Sequence, residues 1–132
     1  MKILLVDDEV EFVSALAERL HLRGIDADWV SRPEDVLGRV TLHHYDLAVL
    51  DVKMPRLSGI NLKVMLQKRC PDMKFIFLTG HGSRESYTAG AAEAGAEYYL
   101  MKPLKLETLI LKIDEVLSSG KNIEMMSKED EM

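Results

Sequence analysis

Cysteine is nearly missing from this chain. Cys70 stands alone, so no intrachain disulfide can form, and the fold must rest on its core. That thiol lies beside Pro71 with no nucleophile signature around it, and it reads as idle. Long apolar runs are missing too. Nothing approaches the ~20 residues that a membrane-crossing helix needs. The opening run Ile3-Leu4-Leu5-Val6 meets Asp7 at once, too early for the core of a secretory signal. A cytoplasmic location is the resulting expectation. Positive charge is also scarce. Lys and Arg number 17 against 22 Asp and Glu, a net charge of −5, which argues against direct nucleic-acid binding by these residues. No internal repeat is present. What remains is 132 residues, 47% hydrophobic and 30% charged, the make-up of one globular domain with room for a core.

Apolar periodicity divides the chain into alternating elements. Ile3–Val6, Leu47–Asp51 and Lys74–Thr79 read as buried strands, and Glu97–Met101 as another. Asp26–Val30 alternates polar and apolar residues and reads as a half-buried edge strand. Between them, Val10–Arg23 carries Phe12, Val13, Leu16, Ala17 and Leu20 at helical spacing and is closed by Gly24. Ser31 and Glu34 form an apparent capping box for a second helix running to about Thr41. A third helix starts at Ser58 or Gly59 and is stopped by Pro71. A fourth, over Ser83–Ala94, is weakened by Gly90, which costs ~1 kcal/mol relative to alanine. A fifth spans Leu104–Leu117. Ser118-Ser119-Gly120 then opens a polar stretch, so residues 1–118 are expected to form the domain and 119–132 a disordered tail. Strands alternating with helices predict an α/β fold: a parallel sheet with right-handed crossovers and helices on both faces.

In such a sheet every strand ends at the same rim, where open α/β folds place their ligands. The residues that end or follow the buried strands are Asp7, Asp8, Asp51, Thr79 and Lys102. Carboxylates gathered there repel. Two unit charges ~4 Å apart interact by about 4 kcal/mol at an effective dielectric of 20. One lysine cannot neutralise three acids, whereas a hard divalent cation such as Mg2+ can. A metal-assisted Asp51 carboxylate is then a nucleophile toward phosphorus, with Lys102 and the Thr79 hydroxyl meeting the phosphoryl oxygens. The plainer alternative has Asp7 and Asp8 capping the first helix while Asp51 merely ends its strand.

Taken together, Asp7-Asp8-Glu9, Asp51-Val52-Lys53-Met54-Pro55 with Gly59, Thr79-Gly80, and Tyr99-Leu100-Met101-Lys102-Pro103 resemble the receiver domain of two-component response regulators, either free-standing or excised from a longer protein. The match runs from about Lys2 to Ser118. Each motif is short; their order and spacing carry the specificity. The resemblance implies a flavodoxin-like sheet of strand order 2-1-3-4-5 and a phosphorylation-dependent switch rather than an enzyme of metabolism. Asp51 would accept the phosphoryl group from a phosphohistidine on a sensor kinase or phosphotransfer protein. Mg2+ would be held by Asp8, Asp51 and the Lys53 main-chain carbonyl, with Asp7 acting through a water. Tyr99 would be the switch aromatic that follows Thr79 inward, and the Lys102–Pro103 bond would be cis. The fourth helix, fifth strand and fifth helix would change on phosphorylation and meet an output partner, dimerisation being one form the response takes.

Some features sit outside that pattern. The segment from Thr79 to Lys102 is one residue longer than usual. Lys53 either alters hydrolysis by crowding or steering water at the site mouth or is simply solvated, and His81 either reaches the phosphoryl group or is a solvent-exposed loop residue. Adjacent His43 and His44 point apart in an extended segment and read as surface residues. Too little chain follows Leu117 for a DNA-binding domain, and the acidic ending is expected to be a natural terminus. Among rival functions, an aspartyl phosphatase would need its second Asp two residues beyond the nucleophile. A flavin or nucleotide binder would not open its phosphate loop with Asp7-Asp8-Glu9. An unphosphorylated interaction module would have no use for the complete acid, threonine and lysine set.

Overall fold

Each apolar run forms a strand, and the alternation within it decides which helix the strand meets. The computed structural model describes residues 1–80 and 99–130, with side chains through residue 118. Its strands are β1 (Lys2–Val6), β2 (Asp26–Val30), β3 (Leu47–Asp51), β4 (Lys74–Thr79) and β5 (Tyr99–Met101). All pair in parallel in the order β2-β1-β3-β4-β5, as expected. β2 is an edge, also as expected, and its exposed Asp26 and half-buried Asp28 discourage pairing with another strand.

Successive side chains in a strand face opposite sides. Leu4, Val6, Ala48, Leu50, Phe75 and Phe77 therefore share one face, packed with Val36 of α2 (Val36–Leu42) and with Leu62 and Leu66 of α3 (Gly59–Arg69). Ile3, Leu5, Leu47, Val49, Ile76 and Leu78 share the other. That face is covered by Val13, Leu16, Ala17 and Leu20 of α1 (Val10–Leu22) and by Leu109, Ile113 and Val116 of α4 (Leu106–Asp130), the fourth α-helix among the described residues. β3 is buried along its whole length, which explains why it reads as unbroken hydrophobic sequence up to Asp51.

The second and last helices differ most from the sequence expectation. Ser31 does not cap the second helix. A 3-10 turn over Pro33–Asp35 precedes α2, and Arg32 holds the cap position. Pro33 suits the first helical position, which moves the start one residue past the apparent box. Glu34, released from that role, faces Arg56 at 3.6 Å. The last helix starts at Leu106 rather than Leu104 and continues to Asp130 instead of ending at Leu117 in a disordered tail. No proline interrupts it, and beyond Gly120 the chain is mostly Lys, Glu, Met and other helix-compatible residues. Tyr99 opens the described part of β5. Glu97, His81 with the rest of the loop after Gly80, and the helix expected over Ser83–Ala94 lie outside the described residues.

Two glycines meet demands that other residues would meet badly. Gly24 ends α1 with φ +78°, a left-handed conformation that glycine adopts without strain. Gly59 opens α3 directly against β3: a Cβ there would overlap the Asp51 carbonyl oxygen. Its amide donates to the Val52 carbonyl at 3.0 Å, and the Ser58 hydroxyl accepts from the Asn61 amide at 3.2 Å. The chain is thereby folded back tightly just beyond Asp51.

Candidate functional site

Strand register brings the distant motifs together. Val6 lies opposite Leu50, so Asp7 and Asp51 emerge side by side from β1 and β3. Asp51 lies opposite Leu78, which puts Thr79 one step further along β4. Thr79 lies opposite Met101, and Lys102 follows at once, its amide donating to the Thr79 carbonyl at 2.8 Å. Parallel neighbours are ~4.8 Å apart, so residues ending adjacent strands reach one another with short side chains.

The result is a buried polar cluster on the carboxyl rim. Asp7 is 1% exposed, Asp51 4% and Thr79 1%. Asp8, on the solvent side, is exposed. The Lys102 ammonium sits 2.7 Å from Asp7 Oδ2, 2.9 Å from Glu9 Oε1 and 3.8 Å from Asp51 Oδ2. It also lies 4.6 Å from the centre of the Phe12 ring. Asp7 Oδ1 accepts from the Glu9 amide at 2.9 Å, so Asp7 both steadies the start of α1 and pairs with Lys102. The hydroxyl of Thr79 has no hydrogen-bond partner among the described residues.

Burial and like charge make Asp51 a reluctant anion. Its pKa is pushed up to about 7, first by burial and then by the negative charge of Asp7, with a hydrogen bond to Asp8 adding to the rise. Lys102 and the Lys53 amide, 3.4 Å from Asp51 Oδ1, pull the value down without prevailing. Burial also raises Asp7, although the Lys102 and Glu9 bonds oppose it. For Lys102, burial favours the neutral amine, but the bonds to Asp7 and Glu9 outweigh it and the value rises.

The donor set suits a hard divalent cation. Asp7, Asp8 and Asp51 each offer a carboxylate oxygen, and these atoms lie within 4.8 Å of one another. They are all-oxygen donors next to solvent, with more negative charge than the local lysine balances, which is the chemistry of a Mg2+ site that keeps several waters. The Lys53 side chain is exposed, in keeping with a solvated cation, while its amide turns toward Asp51. Tyr99 is buried, its ring 5.3 Å from that of Phe77. The Lys102–Pro103 bond is cis. His43 and His44 are surface residues, as expected. What periodicity did not reveal is that Glu9 and Phe12, read as parts of a motif and a helix face, both reach the Lys102 ammonium.

Comparison with known proteins identifies the family. The family model of the response regulator receiver domain matches residues 3–114. The chain is 36% identical over 122 residues to the two-component response regulator PhoP of Pseudomonas aeruginosa, covering 91% of this chain and 54% of that protein. It is 34% identical over 121 residues to the response regulator MprA of Mycobacterium leprae, covering 92% and 53%. It thus spans about half the length of these relatives. Among solved structures, a response regulator receiver domain protein from Clostridium thermocellum superimposes with a TM-score of 0.81 at 31% identity, covering 92% of this chain and 98% of that one. NtrX of Brucella abortus, crystallised with ATP, gives a TM-score of 0.83 at 28% identity, covering 96% and 29%. No helix among the described residues is long and apolar enough to cross a membrane. In sequence and in fold, the chain belongs to the receiver-domain family of two-component response regulators.

Proposed function

We propose that Asp51 is the phosphoacceptor of a phosphorelay and that Asp7, Asp8, Thr79 and Lys102 complete its reaction centre. The observation that carries this reading is the pair of buried carboxylates, Asp7 and Asp51, beside the Lys102 ammonium, with the buried Thr79 on the same rim. An Asp51 oxygen attacks phosphorus in line, the bond from phosphorus to the donor's imidazole nitrogen breaks, and an acyl phosphate forms on Asp51. Asp8, Asp51 and the Lys53 main-chain carbonyl would hold Mg2+, with Asp7 acting through a water. When bound, the cation offsets the carboxylate repulsion and the charge on the phosphoryl oxygens. Lys102 moves from its acidic partners onto a phosphoryl oxygen. The Thr79 hydroxyl, without an acceptor among the described residues, donates to that group, and this draws the end of β4 inward. Tyr99, beside Thr79's strand, repacks with it and alters the surface formed by β5 and α4. That surface is where an output partner would dock.

On this reading the chain works in the cytoplasm with a sensor histidine kinase or phosphotransfer protein. It catalyses its own phosphorylation and slow hydrolysis, without being an enzyme of metabolism. Residues 1–118 form the receiver unit. Incubation with acetyl phosphate and Mg2+, followed by intact mass, provides the test. Wild type should gain the mass of one phosphoryl group and Asp51→Asn none. Failure of wild type to gain it, where another receiver domain does so in parallel, refutes the assignment.

A further inference from the structure

The Lys102 ammonium does not rest on Asp51. It is closer to Asp7 and Glu9, at 2.7 and 2.9 Å, than to Asp51 at 3.8 Å, and it is stacked against the Phe12 ring at 4.6 Å. Glu9 is the N-cap residue of α1 and Phe12 lies in its first turn. Neither belongs to the set that would touch phosphorus or metal. The lysine side chain is only 13% exposed, so its position is set by these neighbours rather than by water. We propose that Glu9 and Phe12 are positioning residues that hold Lys102 in a resting place, and that pulling the ammonium off them slows the phosphorylation of Asp51.

The physical basis is competition for one cation. A cation over an aromatic face within ~6 Å of its centre is held by the ring's negative quadrupole, the more firmly as water is excluded. A hydrogen bond to an ionised carboxylate is stronger than one between neutral groups. Both contacts serve the state in which Asp51 carries no phosphoryl group. To meet a phosphoryl oxygen the ammonium must cross toward Asp51, which weakens its hold on Glu9 and the ring. The kinetic half of this inference rests on Asp51 being the phosphoacceptor; the positional half does not.

Two substitutions at Phe12 isolate the ring. Phe12→Leu keeps apolar packing under α1 and leaves the charge unchanged, whereas Phe12→Tyr keeps the aromatic face. With lysine methylenes isotopically labelled, the Lys102 Hε signal of the unphosphorylated protein should lie upfield from ring current. It should move downfield in Phe12→Leu and stay in place in Phe12→Tyr. The rate of phosphorylation by acetyl phosphate should rise about two- to five-fold in Phe12→Leu, the rate equivalent of ~0.5–1 kcal/mol, and remain at the wild-type value in Phe12→Tyr. Glu9→Gln should also raise the rate. A wild-type Lys102 signal with no ring-current shift overturns the resting place. A shift lost in Phe12→Leu with no gain in rate overturns its effect on phosphorylation. If no variant accepts a phosphoryl group, it is the Asp51 reading that fails, and the NMR signal still reports where Lys102 rests.

Discussion

At the scale of single residues, the site is defined by groups held in states they do not prefer. Asp51 is the clearest case. Its folded pKa of about 7 stands above the ordinary 3.8, so folding takes up a proton over the interval between them. The stability associated with that proton is complete below the unfolded value and is lost as pH rises through about 7. Metal-free Asp51→Asn should therefore melt higher than wild type at pH 8, by roughly 4 °C or more, and the gap should narrow at pH 5. A gap that widens on acidification would contradict the electrostatic account of the site. Among the described residues, the Thr79 hydroxyl has no hydrogen-bond partner. Leaving a buried polar group unpaired costs ~1–3 kcal/mol. Thr79→Val should accordingly melt at or above the wild-type temperature. After phosphorylation it should lack the conformational response, read as unchanged amide NMR shifts along β5. The Thr79 result depends on contacts that no residue pattern displays. Its position at the end of a strand was legible; the absence of a partner for its hydroxyl was not.

Secondary-structure elements show how a loop near the site is kept in place and how a distant network supports the sheet. α3 starts so close to β3 that Gly59 touches backbone, not flexible side chains. Gly59→Ala would gain up to ~1 kcal/mol of helix propensity. It would nevertheless force the Asp51 carbonyl and Val52 apart, an overpacking cost of ~1–3 kcal/mol. A lower denaturation midpoint and slower phosphorylation by acetyl phosphate are expected together; a midpoint equal to wild type would show that the backbone yields without cost. The spacing of Gly59 from Asp51 was visible in the sequence as part of a motif, but its reason is this packing contact. At the β2 edge, the buried Tyr45 hydroxyl donates to Asp28 Oδ2 at 2.6 Å, and Lys2 approaches the same oxygen at 3.6 Å. Partial burial opposes ionisation of Asp28, but the Tyr45 bond and the Lys2 charge outweigh it and depress its pKa below 3.8. A depressed carboxylate contributes stability above its unfolded value and loses it as pH falls through the lower folded value. Tyr45→Phe should cost ~1.5–3 kcal/mol near neutrality. Its deficit in chemical denaturation should shrink below pH 4, and a deficit that does not change with pH would rule out Asp28 as the cause. The capping box at Ser31 misled for an element-scale reason. The spacing from Ser31 to Glu34 fits a cap, yet Pro33 sets where the first turn begins, and the two signals compete within three residues.

For the whole molecule, the quantity of interest is how the sheet couples its acidic rim to stability. An ion that binds only the folded state stabilises it by mass action, ~2.7 kcal/mol at one hundred times its Kd. Saturating Mg2+ should raise the melting temperature of wild type by several degrees beyond a sodium chloride control of equal ionic strength. Asp8→Asn should lose most of that rise, and an undiminished rise would place the cation elsewhere. The order of strands and helices, the buried faces of α1 and β3, and the identity of the rim residues were all written in the sequence. They depend on local signals: apolar periodicity, turn residues, and an acid or lysine following a hydrophobic run. The extent of α4 was not, because Ser118-Ser119-Gly120 reads as a break while nothing there enforces one. The sequence alone determined which side chains reach the rim, since parallel strands with alternating burial leave few other arrangements. Only the tertiary structure decided their relations: Lys102 nearer Asp7 and Glu9 than Asp51, the Phe12 ring beneath it, and Thr79 buried with no hydroxyl partner among the described residues. Those relations arise between residues far apart in the chain. They are settled by how side chains pack across the rim, which residue order does not encode one contact at a time.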